Sequence, residues 1–136
     1  MSSLHTGRAG EYRVISELLL REHEPTLSII DDGIDLYCLD CNNSIQVKAS
    51  LHPTGTGGNR KYHFSIQTWH RDAREFHKAK FIICWGVETN DFWVIPTQEL
   101  LAGRSLNITV PYSKTYQKYK DAWHLLGVVE TSKEES

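Results

Sequence analysis

Asp35, Gln46 and Lys48 stand in two short runs, Ile34-Asp35-Leu36 and Ile45-Gln46-Val47-Lys48, where polar and aliphatic residues alternate. Alternation with a period of two marks a half-buried strand, and Cys41-Asn42-Asn43 supplies a turn between the two runs. With that turn centred on Cys41-Asn42, position 40 faces position 43. Asp35 is then expected opposite Lys48, with Gln46 as its diagonal neighbour on the same face. The other face carries Ile34, Leu36 and Cys38 against Ile45, Val47 and Ala49, a uniformly apolar set. Glu11 adds a second carboxylate. It lies four residues before Ile15 and seven before Leu18, so the spacing places it on the inward stripe of a helix. An acid on a buried stripe is costly unless a partner charge or a metal receives it. Two carboxylates and an amide oxygen form a hard, oxygen-rich site of the kind that Mg²⁺ or Mn²⁺ prefers. A cation there stabilises charge on a phosphate oxygen and activates water, while Lys48 orients the nucleophile or neutralises developing charge. Each residue also has a plainer reading: an Asp and a Lys pair across strands, and a Glu complements a helix dipole. The chemistry is favoured because four residues from three elements converge on one side.

The elements that must hold them follow from periodicity. Tyr12, Ile15, Leu18 and Leu19 recur at helical spacing, which predicts a helix over residues 6–23 that stops at Glu24-Pro25. Strands are predicted at Leu27–Ile30, Ile34–Leu39 and Ser44–Ala49, with Asp31-Asp32-Gly33 as a turn. A glycine-rich loop at residues 52–60 leads to a strand at Tyr62–Gln67 and a helix at Arg71–Lys80. Strands at Phe81–Val87 and Phe92–Ile95 follow, then a short helix capped by Pro96-Thr97 and running to Leu101, and an extended piece at Leu106–Val110. Tyr116, Tyr119, Trp123 and Leu126 form one stripe, predicting a last helix over residues 113–126 with Gly127 as its stop. The tail, residues 130–136, is polar and expected to fray. No repeat or linker divides the chain. A strand meander framed by helices, with further strands after a crossover, predicts one α/β domain over residues 1–136 with a mixed sheet flanked by helices.

The net charge of −2 hides a division along the chain. Residues 1–47 carry 3 basic and 8 acidic side chains. Residues 48–80 carry 7 basic against 2 acidic, among them Arg60, Lys61, Arg71 and Arg74. That is an acidic half suited to cations beside a basic segment suited to phosphates, although charge blocks of this size are also common on plain solvated surfaces. No run is long enough to span a membrane, and the start lacks a signal-peptide pattern, so a cytoplasmic location is expected. Three cysteines, an odd number, make a disulfide framework unexpected.

The ordered set Gly7-Arg8-Ala9-Gly10-Glu11 opening a helix, then Gly33-Ile34-Asp35-Leu36, then Ile45-Gln46-Val47-Lys48 resembles the PD-(D/E)XK nuclease superfamily. That superfamily includes restriction endonucleases and Holliday-junction resolvases. The later Phe92-Trp93-Val94-Ile95-Pro96 is similar to the closing strands of many small members. The resemblance spans roughly residues 5–101 in element order. It implies a restriction endonuclease-like fold and metal-dependent hydrolysis of DNA, with Asp35 and Glu11 as metal-binding acids and Lys48 as the catalytic lysine. The implied metal set is Glu11, Asp35, Gln46 and the backbone carbonyl of Val47, holding Mg²⁺ or Mn²⁺. Gln46 departs from the usual acid, giving up a negative charge while keeping a ligand oxygen; some active members are similar in having Gln-x-Lys. The implied partner is double-stranded or branched DNA, gripped through Arg60, Lys61, Arg71 and Arg74. A homodimer is expected, since cutting two strands calls for two sites. The competing expectation is a catalytically weak DNA-binding or assembly module on the same fold.

Other groups attract lesser readings. Cys38 and Cys41 form a C-x-x-C that invites zinc, but a closed site needs four ligands, and only Cys84 and scattered histidines are on offer. The glycines around Gly55–Lys61 lack phosphate-loop spacing. Trp69 stands beside His70, Arg71 and Arg74, whereas Trp85, Trp93 and Trp123 read as core.

Overall fold

The structure, a computed structural model, describes residues 2–29, 33–66, 79–100 and 105–127. Helix α1 (Ser3–Leu20) starts where the Ser2 side chain accepts the His5 N–H, satisfying one of the donors that a helix start leaves open. Its buried stripe is Thr6, Gly10, Val14 and Leu18, an i, i+4 series. Tyr12 and Leu19, placed inward by sequence periodicity, are more than half exposed. The helix ends earlier than Glu24-Pro25 implies. Glu22 turns into the left-handed region at φ 68°, and the N–H groups of Glu22 and His23 close on the carbonyls of Leu19 and Leu18.

The strands are β1 (Pro25–Leu27), β2 (Leu36–Cys38), β3 (Asn43–Ser50), β4 (Arg60–Ser65), β5 (Phe81–Gly86), β6 (Asp91–Pro96) and β7 (Ser105–Val110). Five of them form a mixed sheet in the order β1-β2-β3-β5-β6, antiparallel except for the parallel pair β3–β5. This is the expected α/β architecture. β4 and β7 stand apart as an antiparallel ribbon.

Two apolar layers sandwich the sheet. On one face Val14 and Leu18 of α1 meet Ile45, Val47, Ile83 and Val94, with Trp123 and Leu126 closing the end. On the other, Ile82, Cys84, Trp93 and Ile95 pack against Tyr62, Phe64, Leu106 and Ile108 of the ribbon. The ribbon alternates buried Tyr62 and Phe64 with exposed Lys61, His63 and Ser65, as a sheet with one wet face must. Gly86 permits its approach, since a Cβ there would lie 2.4 Å from the Tyr62 ring.

Four expectations are corrected. The β2–β3 pairs are Leu36↔Ile45, Tyr37↔Ser44 and Cys38↔Asn43, two residues out of the expected register, so Asp35 does not stand opposite Lys48. The cause is the turn: Leu39–Asn42 is a four-residue connection, with Asn42 at φ 56°. Cys38 and Cys41 are joined by a disulfide, because the turn brings their Cα atoms to 5.5 Å. The C-terminal stripe is not a continuous helix. It is two 3₁₀ turns, Gln117–Tyr119 and Trp123–Leu126, on either side of Lys120, which bridges to Trp93 at the sheet edge. The short helix expected at 97–101 is likewise a 3₁₀ turn, Thr97–Glu99. The helix expected at Arg71–Lys80 and the frayed tail lie outside the described residues, apart from Ala79 and Lys80. No helix among the described residues is long and apolar enough to cross a membrane.

Candidate active site

The two-residue slip leaves every side chain on its expected face, because faces alternate with period two. Ile45 and Val47 are buried toward α1, so Gln46 and Lys48 share the opposite face. There they align with Ile82 and Cys84 of β5. Asp35 sits just before β2. Its N–H donates to the Ile45 carbonyl at 2.9 Å, and its carboxylate Oδ2 accepts the Val47 N–H at 2.7 Å. The Asp35 carboxylate is therefore pinned to the backbone of the residue between Gln46 and Lys48. Sequence reasoning had Asp35 near both by side-chain register; the structure achieves it by a side-chain to backbone bond.

Glu11 approaches from α1, on the Ile45–Val47 side of β3 and not from the face that Gln46 and Lys48 share, so the four residues do not converge on one side as expected; what Glu11 comes near is Asp35. The helix can lie close to β3 because Gly10 has no side chain: a Cβ there would stand 2.9 Å from the Ala49 Cβ and 3.4 Å from the Val47 Cγ1. Burial pushes the Glu11 carboxyl above its ordinary range, the negative charge of Asp35 pushes it further, and Arg8 pulls it partly back. The two acids thus feel one another across the α1–β3 contact.

Gln46 is half-buried, and its Oε1 is fully buried with no hydrogen-bond partner among the described residues. Leaving such an oxygen unsatisfied costs about 1–3 kcal/mol. Lys48 lies in a groove of about 450 Å³ lined also by Ser3, Thr6 and Gly7 from the first turns of α1 and by Ser65 of β4. Helix N-terminus and ammonium are both electropositive, so the groove favours an anionic group. Next to it the Cys84 thiol is raised by its burial, opposed only by the Lys48 charge.

The donor set fits a hard divalent cation. Two carboxylates and an amide oxygen are donor types that such an ion accepts, and Glu11, Asp35 and Gln46 are the residues that would offer them. Val47 belongs to the same corner through its backbone.

Of the four basic residues, Arg60 and Lys61 are among the described residues. Arg60 is engaged by the Glu88 carboxylate at 3.2 Å and the Pro53 carbonyl at 3.3 Å, and Glu88 also holds His52. Lys61 is exposed on the outer face of β4. Arg71, Arg74, Trp69 and His70 lie outside the described residues. Trp93 and Trp123 are core, as expected, and Trp85 is half-buried with its indole N–H donating to Asn90. The glycine-rich loop folds into the turn Gly57–Asn59 leading to β4, without a phosphate-loop helix behind it. The buried group that sequence reasoning missed is His23, which meets Asp40 and both turn cysteines. Its signal, a histidine just past the helix stop, has no fixed spacing to the C-x-x-C.

No family model matches the chain, and no curated protein matches it. Among solved structures the chain is similar in fold, over 99% of both chains and at 21% sequence identity, with a TM-score of 0.72, to a bacterial homing endonuclease, I-Ssp6803I.

Proposed function

We propose that this chain is a metal-dependent endonuclease hydrolysing DNA phosphodiester bonds, with Glu11, Asp35, Gln46 and Lys48 as its working residues. The observation that carries the reading is the buried Oε1 of Gln46, without a partner among the described residues, on the strand whose Val47 N–H holds the Asp35 carboxylate, with the Asp35 charge near enough to make ionisation of Glu11 costlier. Water-exposed ion-pair chemistry needs neither feature; a cation site uses both. The ordered motif of a PD-(D/E)XK nuclease and the fold shared with an endonuclease support the same conclusion.

Glu11, Asp35, Gln46 and the Val47 carbonyl would hold Mg²⁺ or Mn²⁺, which when bound would supply Lewis-acid stabilisation of phosphate charge and a water of lowered pKa. The chain's own residues do the rest. Asp35 is fixed by the Val47 N–H, so one carboxylate oxygen is oriented before any ligand arrives. Glu11 is brought in by the close helix contact at Gly10. Gln46 contributes a neutral oxygen, which keeps the net negative charge low where a phosphate must approach. Lys48 sits in the electropositive groove and balances charge on the phosphoryl oxygens. Two copies of the chain, one for each strand of a duplex, form the cutting unit.

The test is incubation of the pure protein with supercoiled, linear and branched DNA, with and without Mg²⁺ or Mn²⁺. Metal-dependent cleavage is expected. Asp35→Asn should abolish it with DNA binding intact or tighter, and Lys48→Ala should stop it with weaker binding. Gln46→Glu should bind metal more tightly. Binding without cleavage of any of the three DNA forms would replace this reading by a DNA-binding or assembly module, which the loss of the usual acid at Gln46 favours.

A further inference from the structure

At the other end of α1 four ligand-bearing side chains meet, away from Glu11 and Lys48. His23 Nδ1 lies 2.8 Å from Asp40 Oδ2, and Asp40 Oδ1 lies 3.1 Å from Cys38 Sγ. One ligand atom from each of His23, Cys38, Asp40 and Cys41 can be chosen so that all lie within 4.8 Å of one another. Ligands of a tetrahedral zinc ion, at Zn–S of about 2.3 Å and Zn–N of about 2.0 Å, stand roughly 3.3–3.8 Å apart. The imidazole and carboxylate, at 2.8 Å, are hydrogen-bonded and would move apart by about 0.5 Å to share an ion.

The cluster is built rather than accidental. His23 is 5% exposed and Cys38 1%, at the edge of the core layer beneath α1. The backbone places them: the left-handed Glu22 turns His23 back under the helix end, where its N–H bonds to Leu18. Asp40 is held by the Glu24 N–H at 2.8 Å, and the Leu39 N–H bonds to the Glu24 carbonyl. The Glu24 N–H and the His23 imidazole together hold the two Asp40 carboxylate oxygens in place. A disulfide between Cys38 and Cys41 makes no use of the imidazole and the carboxylate that stand within 4.8 Å of its sulfurs. A borderline-soft cation uses all four groups.

We propose that the reduced form of this cluster binds one zinc ion through Cys38, Cys41, His23 and Asp40, fastening the end of α1 to the β2–β3 turn. In the first step two small thiols cleave the Cys38–Cys41 bond. They supply two electrons and two protons and leave as their own disulfide. In the second, Zn²⁺ forms two bonds to sulfur and the two thiol protons go to solvent. Cys84, the fourth-ligand candidate from sequence, takes no part: it is buried in the opposite core layer.

The experiment uses the full chain, in excess Mg²⁺ so that the oxygens of Glu11, Asp35 and Gln46 do not compete. Reduced protein is titrated with Zn²⁺ and, separately, with Co²⁺, with metal content measured after desalting. One zinc per chain is expected, together with a Co²⁺ spectrum showing thiolate charge transfer and tetrahedral ligand-field bands. The same protein oxidised to the disulfide should show neither, a control that needs no substitution and so no assumption about folding. Cys84→Ser should behave as wild type, Cys38→Ser should lose the charge-transfer band, and His23→Gln should weaken zinc binding at least tenfold. The proposal is overturned by a reduced wild type that retains no zinc, by a Co²⁺ spectrum without thiolate character, or by equal zinc content in the oxidised protein.

Discussion

Two glycines three residues apart on α1 offer a direct measurement of how tightly the helix is pressed onto β3. Gly7 and Gly10 are both interior to the helix, and replacing either by alanine recovers about 0.5–1 kcal/mol of helix propensity. That gain is common to both and cancels when they are compared. A Cβ at Gly7 meets nothing within 4 Å, so Gly7→Ala should stabilise by close to the full propensity gain. A Cβ at Gly10 meets the Ala49 Cβ at 2.9 Å, backed by Val47 and Trp85, none of which is a flexible chain end that can swing away. Inserting a methyl group into such a contact costs about 1–3 kcal/mol. Gly10→Ala should therefore be less stable than Gly7→Ala by about 1–3 kcal/mol. Urea unfolding of the two variants at neutral pH, compared by midpoint at constant slope, reads the difference. Equal midpoints would refute the close helix contact, and with it the route by which Glu11 reaches Asp35.

Two further outcomes follow from the same geometry. Because burial and Asp35 raise the Glu11 carboxyl above its ordinary value of 4.5, the folded protein binds that proton more readily than the unfolded chain. Stability then falls as pH rises from about that value through the raised one. In chelator, Glu11→Gln should be more stable than wild type at pH 7 with the advantage vanishing below pH 4; a pH-independent difference in denaturation midpoint would contradict the coupling. Lys61 is exposed on the ribbon while Arg60 is held by Glu88, so Lys61→Ala should lower the slope of log K for DNA against log salt by about 0.9, and Arg60→Ala by less. Identical slopes for both variants, read by fluorescence anisotropy across salt, would show that the Arg60–Glu88 pair does not withhold Arg60 from phosphate.

The hairpin shows what a single sequence can convey. Alternation fixes which residues share a face, so Gln46 and Lys48 were legible together. It does not fix register, which depended on a turn two residues longer than the expected one. Tyr116, Tyr119, Trp123 and Leu126 were legible as buried, and all four are. Their spacing of three and four suits an α-helix and a pair of 3₁₀ turns equally. The choice was made by tertiary pairing of Lys120 with the edge of β6. The contact of His23 with Asp40 was illegible, since it depends on a left-handed residue that is not glycine. The separate ribbon was hidden for a related reason: nothing in Arg60–Ser65 names a partner as distant as Ser105–Val110.

That last separation bears on how the chain is made. β4 emerges roughly 40 residues before β7, which at about 5–20 residues per second means about 2–8 s during synthesis with one strand of the ribbon waiting. Throughout that interval Tyr62 and Phe64 have only part of their layer to pack against, and the β4 edge is open to any other nascent strand. Lys61, His63 and Ser65, alternating with the two aromatics, keep the waiting segment from being apolar on both sides. Whatever else the polar face of the ribbon does in the finished protein, it guards the chain against misassociation while it is being made.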